Sequence, residues 1–227
     1  MIKKENQARS RRRKAFIFDM DGTLVDNMKF HSKAWLALFD SLGIHMEADE
    51  FQRCTAGKTN PEILREISGK QLTDGEIQEL SDRKESVYRT LYQPHLKATG
   101  GLLLFLRQAK ELGIPMAVAT AAGRQNVQFV LQGLQIENFF EAVVGAEDIQ
   151  NGKPDPEIFL KSAQRLDVLP EACIVFEDSP NGVEAASRAG MKAILITTTH
   201  QPEELGDQPA LLLAVSDFTA LEIQAML

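Results

Sequence analysis

The sequence predicts an α/β protein in which a doubly wound parallel sheet carries an inserted α-helical domain. After Gly100-Gly101, apolar strand candidates alternate with amphipathic helical stretches. Between the first strand candidate and this alternating region, the segment 27–97 has helical spacing of its apolar residues and no clear strand. The predicted domains are therefore a Rossmann-like core of residues 15–26 and 98–227 and a helical insertion of residues 27–97.

A basic amino terminus precedes the predicted core. Residues 1–14 contain seven lysines and arginines and one acidic residue, Glu5, so their net charge is +6. Since the whole chain has a net charge of −7, the remaining residues have a net charge of −13. We expect a solvated, poorly ordered tail here, with contact to nucleic acid or anionic lipid as the less favoured alternative. The acidic body disfavours nucleic acid as the main partner.

Composition also limits the compartment and the partners. The chain has 2 cysteines, too few for a disulfide scaffold, which favours a cytoplasmic protein. No apolar run approaches the roughly 18 residues that span a bilayer, so no membrane insertion is expected. We expect a monomer, because no apolar stripe is left over after the core elements are assigned.

The first predicted strand leads directly into two aspartates. Ala15–Phe18 is apolar, and Asp19 and Asp21 follow it before the turn signal Gly22-Thr23. Because alternate residues of an extended chain share a face, the two carboxylates are expected on one side. A strand end followed by a helix cap would explain the pair equally well at this point.

Three helices are predicted in the insertion. The first is indicated by apolar residues at spacings of three and four and ends near Gly43; these residues are Ala34, Trp35, Leu38, Phe39 and Leu42. The second begins with Asn60 as N-cap, followed by Pro61. The third begins at a Thr73–Glu76 capping box and extends to about Tyr92.

The remaining elements alternate between strands and helices. The predicted strands are 116–120, 142–145, 172–177, 192–197 and 211–215, and the predicted helices are about 101–112, 124–134, 156–166 and 181–189. In folds of this class ligands bind at the carboxyl ends of the strands. The polar residues that follow each strand are therefore the candidate site residues.

Four such groups stand at the predicted strand ends. They are Asp19 with Asp21, Thr120, Lys153 in a Gly-Lys-Pro-Asp-Pro loop, and Glu177 with Asp178. Each alone could be a cap or a surface charge, but together they converge on one edge. Crowded carboxylates repel one another unless a divalent cation is present, and an all-oxygen ligand set favours Mg²⁺. A hydroxyl and an ammonium can hold phosphoryl oxygens while one aspartate attacks phosphorus and the other transfers protons.

These motifs resemble the haloacid dehalogenase superfamily, in its β-phosphoglucomutase-like subgroup with a helical cap. The resemblance extends from Lys14 to Leu227 and consists of D-x-D-G-T at 19–23, the threonine at 120, G-K-P-x-P around 153 and E-D-S-x-x-G at 177–182. It implies an enzyme in which residues 27–97 close over the site and exclude water.

The resemblance also implies individual roles. Asp19 would be the nucleophile, Asp21 the general acid and base, and Thr120 and Lys153 the phosphoryl-binding groups. Mg²⁺ would be held by Asp19, by the main-chain carbonyl of Asp21 and by Asp178, with Glu177 a ligand directly or through water.

The sequence of the insertion distinguishes a phosphatase from a mutase at two positions. In the mutases of the subgroup a cap glycine is followed three residues later by arginine, where this chain has Asn60. A second cap lysine follows an R-K-x-x-x-Y pattern, and here Thr90 occupies that position. The sequence therefore favours a phosphatase acting on a small phosphorylated metabolite, such as a sugar phosphate, with His31, Lys58 and Asn60 as candidate substrate contacts. A β-phosphoglucomutase and an inorganic pyrophosphatase are the enzymatic alternatives, and a binding protein without turnover is the non-enzymatic one.

Overall fold

The computed structural model describes residues 13–48, 50–51, 59–69 and 71–227. The chain divides into two compact units, one formed by the chain up to Asp26 with Lys97–Leu227 and the other by Asn27–Leu96. We call them the core unit and the helical unit. The basic segment 1–12 and Lys58 lie outside the described residues. In the described part of the chain, no helix is both long and apolar enough to cross a membrane.

The core unit contains a six-stranded sheet in which every neighbouring pair is parallel. The strands are β1 (Ala15–Phe18), β2 (Met116–Ala119), β3 (Ala142–Val144), β4 (Cys173–Glu177), β5 (Lys192–Ile196) and β6 (Leu211–Val215). Their order is β3-β2-β1-β4-β5-β6, which places β1 between β2 and β4. The predicted doubly wound α/β fold with a helical insertion is confirmed.

Helices connect the strands and form the insertion. Those of the helical unit are α1 (Met28–Ser41), α2 (Asn60–Ile67) and α3 (Asp74–Tyr92), and those of the core unit are α4 (Leu102–Glu111), α5 (Arg124–Gly133), α6 (Glu157–Arg165) and α7 (Pro180–Arg188). Short 3₁₀ turns occur at Gln93–His95, Glu137–Phe139, Ala146–Asp148, Pro170–Ala172, Pro202–Leu205, Phe218–Ala220 and Ile223–Met226.

Strand β1 is apolar throughout because both of its faces are buried. Ala15 and Ile17 belong to the aliphatic cluster on one face of the sheet. Phe16 and Phe18 enter an aromatic cluster, in which the Phe18 ring stacks on Phe176 with the ring centres 4.6 Å apart. Phe105 of α4 packs against the same rings, with its centre 5.3 Å from that of Phe176. The strand that carries the first aspartate is therefore fixed from both sides.

Helix α1 has the predicted apolar spacing and buries the corresponding face. Its buried residues are Phe30, Ala34, Trp35, Leu38 and Phe39. Trp35 lies in the core of the helical unit together with Phe51, Ile63, Leu64 and Ile77. The glycine after the helix, Gly43, has a φ of +77°, as a left-handed carboxyl-terminal residue requires.

The start of α2 differs from the prediction by one residue. Thr59 is the N-cap in extended conformation, and Asn60 is the first helical residue. The reason is that Glu62, three residues after Thr59, completes a capping box: its Oε2 accepts hydrogen bonds of 2.7 Å from both the amide and the hydroxyl of Thr59. The equivalent Thr73–Glu76 box at the start of α3 is confirmed.

The aromatic cluster predicts that alanine substitution destabilises the protein very differently at two neighbouring residues of α4. Phe105 is 2% exposed and Leu104 is 61% exposed. Phe105→Ala is expected to lower the free energy of unfolding by about 3–5 kcal/mol, because the surrounding rings cannot collapse into the space. The matched control Leu104→Ala should change it by less than about 0.5 kcal/mol. Urea denaturation of the two variants measures both values, and similar losses would contradict this view of the core.

Candidate active site

The strand-end residues meet at the carboxyl edge of β2, β1 and β4. Asp19 follows β1, and its amide donates a 2.9 Å hydrogen bond to the carbonyl of Phe176, which continues the pairing with β4. This brings Asp19 beside Glu177 and Asp178. One carboxylate oxygen from each of the three lies within 4.8 Å of the others, and all three residues are buried. The spatial convergence expected for these groups is present.

Lys153 lies between two of these carboxylates. Its Nζ is 2.5 Å from Oδ1 of Asp19 and 2.5 Å from Oε1 of Glu177. A third contact of 3.3 Å reaches the carbonyl oxygen of Ala119 at the end of β2. The ammonium also lies 5.1 Å from the centre of the Phe159 ring. The three hydrogens of the ammonium thus have acceptors in Asp19 directly after β1, in Ala119 of β2 and in Glu177 of β4, so Lys153 connects the ends of three strands.

The main chain that follows β4 holds Glu177. Its Oε2 accepts hydrogen bonds of 2.9 Å from the amide of Asp178, the amide of Ser179 and the hydroxyl of Ser179. Ser179 is also the N-cap of α7, where its hydroxyl accepts from the amide of Gly182. A Cβ on Gly182 would lie 1.8 Å from the carboxylate carbon of Glu177. The motif glycine is therefore needed because the carboxylate lies against the helix backbone.

Asp178 has the same relation to the other motif glycine. Gly22 has a φ of +85°, and a Cβ on it would lie 2.0 Å from Oδ2 of Asp178 and 3.0 Å from Oγ1 of Thr199. A residue with a side chain is excluded at position 22 both by backbone conformation and by lack of space.

The carboxylates and the lysine perturb one another strongly. Burial raises the pKa of Asp19 well above its ordinary value, although Lys153 acts in the opposite direction. Burial and the neighbouring Glu177 raise the pKa of Asp178 to about 8. Burial alone would lower the pKa of Lys153, but the carboxylates of Asp19 and Glu177 raise it above its usual value. The Lys153 ammonium therefore stays protonated among its acidic neighbours.

The donor set fits a divalent cation. Three carboxylates and one ammonium leave a formal charge of −2 in a buried cluster. Carboxylate and carbonyl oxygens are the ligands that Mg²⁺ prefers. A divalent ion would cancel the excess charge, which adds to burial in raising the pKa of Asp19 and Asp178. Asp19, Glu177 and Asp178 are the residues that could hold it, and the Asp21 side chain is outside this group of three.

Asp21 and Thr120 lie at the same edge. Asp21 forms an isolated bridge with Val25, and the amide of Gly22 donates a 2.8 Å hydrogen bond to the carbonyl of Val25. Asp21 is therefore held in a tight loop directly after Asp19. Thr120 is 1% exposed, and its Oγ1 accepts a 3.1 Å hydrogen bond from the amide of Ala122. The hydroxyl can donate its own hydrogen elsewhere.

Two of the three candidate substrate contacts belong to one polar cluster of the helical unit. His31 stacks on the Tyr88 ring with the ring centres 3.8 Å apart, and its Nδ1 is 2.8 Å from Nζ of Lys84. Lys84 pairs with Glu85 at 2.9 Å, and the side-chain Nδ2 of Asn60 donates a 3.0 Å hydrogen bond to the same Glu85 oxygen. The third candidate, Lys58, lies outside the described residues.

Sequence reasoning missed three residues of these clusters. Lys84 is 2% exposed and lies 5.3 Å from the Trp35 ring centre. Two sequence signals could have found it: it is the lysine of the R-K-x-x-x-Y pattern, and it shares a helix face with Ile77 and Tyr88. Thr198 and Thr199 follow β5, and Thr198 donates a hydrogen bond from its hydroxyl to the carbonyl of Gly22. The rule of examining polar residues after each strand would have found these two threonines.

The contact between Gly182 and Glu177 predicts an unusual penalty for alanine in a helix. Gly182→Ala is expected to lower the free energy of unfolding by about 1–3 kcal/mol, because the new methyl group overlaps a carboxylate held by four donors. Gly75→Ala in α3 is the matched control, since no atom lies within 4 Å of the added Cβ. It should be neutral or stabilise by up to about 1 kcal/mol. Chemical denaturation that finds both variants equally stable would contradict the close approach.

Comparisons with known proteins agree with the motifs. The sequence model of the family described as haloacid dehalogenase-like hydrolase matches residues 16–196. A phosphorylated carbohydrates phosphatase from Thermotoga maritima is 33% identical over 183 residues, covering 79% of this chain and 83% of that protein. The chloroplastic 5-amino-6-(5-phospho-D-ribitylamino)uracil phosphatase of Arabidopsis thaliana is 28% identical over 211 residues. That match covers 92% of this chain but only 57% of the plant protein.

A solved structure resembles the whole fold. The crystal structure of a β-phosphoglucomutase from Clostridium difficile has a TM-score of 0.80 and 28% identity, and the match covers 94% of this chain and 96% of that one. The resemblance predicted from the four motifs, including that to the β-phosphoglucomutase-like subgroup, is confirmed.

Proposed function

The chain belongs to the haloacid dehalogenase-like hydrolases, and from this membership and the strand-end cluster we propose that it is a Mg²⁺-dependent phosphatase of a small phosphorylated metabolite. The observation that carries the proposal is the contact of Lys153 with both Asp19 and Glu177 at 2.5 Å in a buried group of three carboxylates. A buried ammonium beside an aspartate suits an anionic substrate that the aspartate attacks. An enzyme of this family is thus favoured over a binding protein.

Asp19 is the proposed nucleophile. One of its carboxylate oxygens forms a bond to phosphorus while the bond from phosphorus to the substrate oxygen breaks, which gives an aspartyl-phosphate. Asp21, two residues later in the same tight loop, donates a proton to the leaving oxygen. In the second step Asp21 accepts a proton from water as the water attacks phosphorus and releases Asp19. Lys153 and the Thr120 hydroxyl bind the phosphoryl oxygens.

The proposed metal ligands are Asp19, the main-chain carbonyl of Asp21 and Asp178, with Glu177 a ligand directly or through water. A bound Mg²⁺ would offset the repulsion between the carboxylates and the phosphoryl oxygens. The fixed orientation of Glu177, whose Oε2 has three donors of its own, supports a role in holding Lys153 as well.

The proposed substrate is a sugar phosphate or a similar metabolite. The names of the two phosphatases above support this class, since one is described as acting on phosphorylated carbohydrates and the other on a phosphoribityl compound. We propose that the helical unit selects the substrate, with His31, Asn60 and Lys58 as its contacts. Asn60 donates to Glu85, and the Thr90 hydroxyl donates to the carbonyl of Ser86 in its own helix. Neither is a cationic group of the kind that a bisphosphate requires, which supports a phosphatase.

β-Phosphoglucomutase activity is the second candidate. It is supported by the similarity to the Clostridium difficile enzyme and by Lys84, a buried cation of the helical unit that could meet a second phosphate. Glu85 already pairs with this ammonium and neutralises its charge. A second phosphate would therefore meet a compensated cation, which supports the phosphatase. The products of the reaction distinguish the two candidates.

Replacement of the nucleophile tests the chemistry. Asp19→Asn keeps the size of the side chain but is expected to lower phosphate release on the order of a thousandfold or more, because an amide oxygen cannot form the covalent intermediate. Asp207→Asn, at an exposed position of the core unit, is the matched control and should keep full activity. Phosphate release is measured for both with a phosphomonoester in Mg²⁺ buffer, and full turnover by Asp19→Asn would exclude the aspartyl-phosphate route.

Product identification tests the substrate class and the metal. In Mg²⁺ buffer we expect sugar monophosphates, including β-glucose 1-phosphate, to give free sugar and phosphate. EDTA should stop the reaction and excess Mg²⁺ should restore it, because the buried carboxylates need the cation. Glucose 6-phosphate as the product in the presence of a catalytic bisphosphate would indicate the mutase. Turnover of pyrophosphate alone would indicate a pyrophosphatase, and no turnover of any compound would favour a binding protein.

A further inference from the structure

The loop of residues 20–25, which we call the Asp21 loop, follows β1 and uses its main-chain amides internally. The carbonyl of Met20 accepts hydrogen bonds from the amides of residues 23–25, at 3.3, 2.9 and 3.2 Å. The amide of Gly22 donates to the carbonyl of Val25 at 2.8 Å. These bonds use only the carbonyls at the two ends of the loop. The three carbonyls of Gly22 and the two residues after it need other donors, because this part of the loop is buried.

Two threonines distant in the chain supply these donors. The hydroxyl of Thr198, after β5, donates to the carbonyl of Gly22. The hydroxyl of Thr99, before α4, donates a 2.7 Å hydrogen bond to the carbonyl of Thr23. The amide of Thr99 donates a 2.9 Å hydrogen bond to the carbonyl of Leu24. Three consecutive carbonyls of the Asp21 loop are therefore bound from outside the loop, two of them by threonine hydroxyls.

The two threonines are themselves held by neighbouring elements. The amide of Thr198 donates a 2.9 Å hydrogen bond to the carbonyl of Ile196 at the end of β5, and its hydroxyl lies 3.5 Å from the same carbonyl. The carbonyl of Thr99 accepts a 3.1 Å hydrogen bond from the amide of Leu102, the first residue of α4. The positions of the two hydroxyls are therefore set by β5 and α4, on elements of the core unit.

The bound loop contains the proposed general acid and base. Asp21 forms an isolated bridge with Val25, and it directly precedes the first of the three bound carbonyls. Transfer of a proton to the leaving oxygen requires the carboxyl of Asp21 within hydrogen-bond reach of that oxygen. A misplacement of about 1 Å can reduce a rate by about a hundredfold. The position of the Asp21 loop therefore matters for the proposed reaction.

The proposed nucleophile is supported in a different way. The amide of Asp19 donates a 2.9 Å hydrogen bond to the carbonyl of Phe176, which continues the pairing of β1 with β4. Its carboxylate is held by Lys153 at 2.5 Å. Neither threonine takes part in these two contacts. Loss of a threonine hydroxyl is therefore expected to disturb the placement of Asp21 more than that of Asp19.

We propose that Thr99 and Thr198 are positioning residues, which hold the Asp21 loop so that the carboxyl of Asp21 reaches the leaving oxygen. This inference rests on the proposed function, since it assumes that Asp21 donates the proton. Neither threonine touches the reacting atoms in this assignment, because each acts through main-chain carbonyls of the loop.

The dependence on the leaving group distinguishes this role from a merely structural one. Benzyl phosphate releases an alcohol that needs the proton of Asp21, whereas 4-nitrophenyl phosphate releases a stabilised nitrophenolate that leaves without it. We expect Thr99→Val and Thr198→Val each to lower kcat/KM about ten- to a hundredfold for benzyl phosphate and less than about threefold for 4-nitrophenyl phosphate. The ratio kcat/KM is used because it reports on the first step, before water enters.

Conservative and matched variants are the controls. Thr99→Ser and Thr198→Ser keep the hydroxyl and should restore kcat/KM for benzyl phosphate. Thr197→Val removes a hydroxyl from the same loop as Thr198, but that hydroxyl lies 3.3 Å from the carbonyl of Val215, on the side of β6. This variant should turn over both compounds like the unaltered protein. Equal losses for the two compounds would overturn the proposal, and so would serine variants that are as impaired as the valine variants.

A double-mutant cycle with β-glucose 1-phosphate gives a second measurement. In Asp21→Asn the proton donor is absent, so its position no longer matters and Thr99→Val should cause no further loss. Losses that multiply would overturn the proposal. Urea denaturation shows whether each variant is folded under the assay conditions. An unaltered protein that releases phosphate from none of the three compounds would contradict the proposed function and this inference together, whereas equal losses in an active protein contradict this inference alone.

Discussion

The contact of one ammonium with two buried carboxylates is the interaction on which the site depends. Asp19, Glu177 and Asp178 are each almost completely removed from water, and like charges so close together favour protonation. Lys153 compensates for part of this charge by touching Asp19 and Glu177 at 2.5 Å. What remains is a formal charge of −2, which a divalent ion would balance. The lysine and the proposed metal are therefore complementary parts of one charge balance.

The backbone lies unusually close to these carboxylates, and this close approach provides part of their hydrogen bonding. Gly22 and Gly182 each leave room where a methyl group would overlap a carboxylate, of Asp178 in one case and of Glu177 in the other. The amides of Asp178 and Ser179 can then donate to Glu177. Since this buried carboxylate has donors from the main chain and from Lys153, its burial is compensated by several hydrogen bonds at once. The two motif glycines thus allow the buried carboxylates to approach the backbone, in addition to forming the turns.

The helical unit contains a second buried lysine with a different balance. Lys84 pairs with Glu85 and lies beside His31, above the rings of Trp35 and Tyr88. Among the residues that the structure describes, this ion pair is formally neutral, whereas the cluster of the core unit has a formal charge of −2. A paired ammonium among aromatic rings and hydrogen-bonding groups is suited to recognition of a polar substrate portion. The two units therefore carry chemically distinct clusters.

Local patterns along the chain are sufficient to predict the fold class, the order of the elements and the members of the core cluster. These follow from local rules, because buried parallel strands are continuous apolar runs, helices repeat every three to four residues, and polar groups after parallel strands meet at one edge. Contacts between elements that are distant in the chain, in contrast, appear only in the folded protein. Lys153 bridges Asp19 and Glu177, Thr198 donates to the carbonyl of Gly22, and His31 and Asn60 join through Lys84 and Glu85. Such contacts depend on side-chain direction and loop path, which spacing along the chain does not specify. The N-cap of α2 is different, because Thr59 and Glu62 have the same T-x-x-E spacing as the predicted Thr73–Glu76 box and so could have been recognised in the sequence.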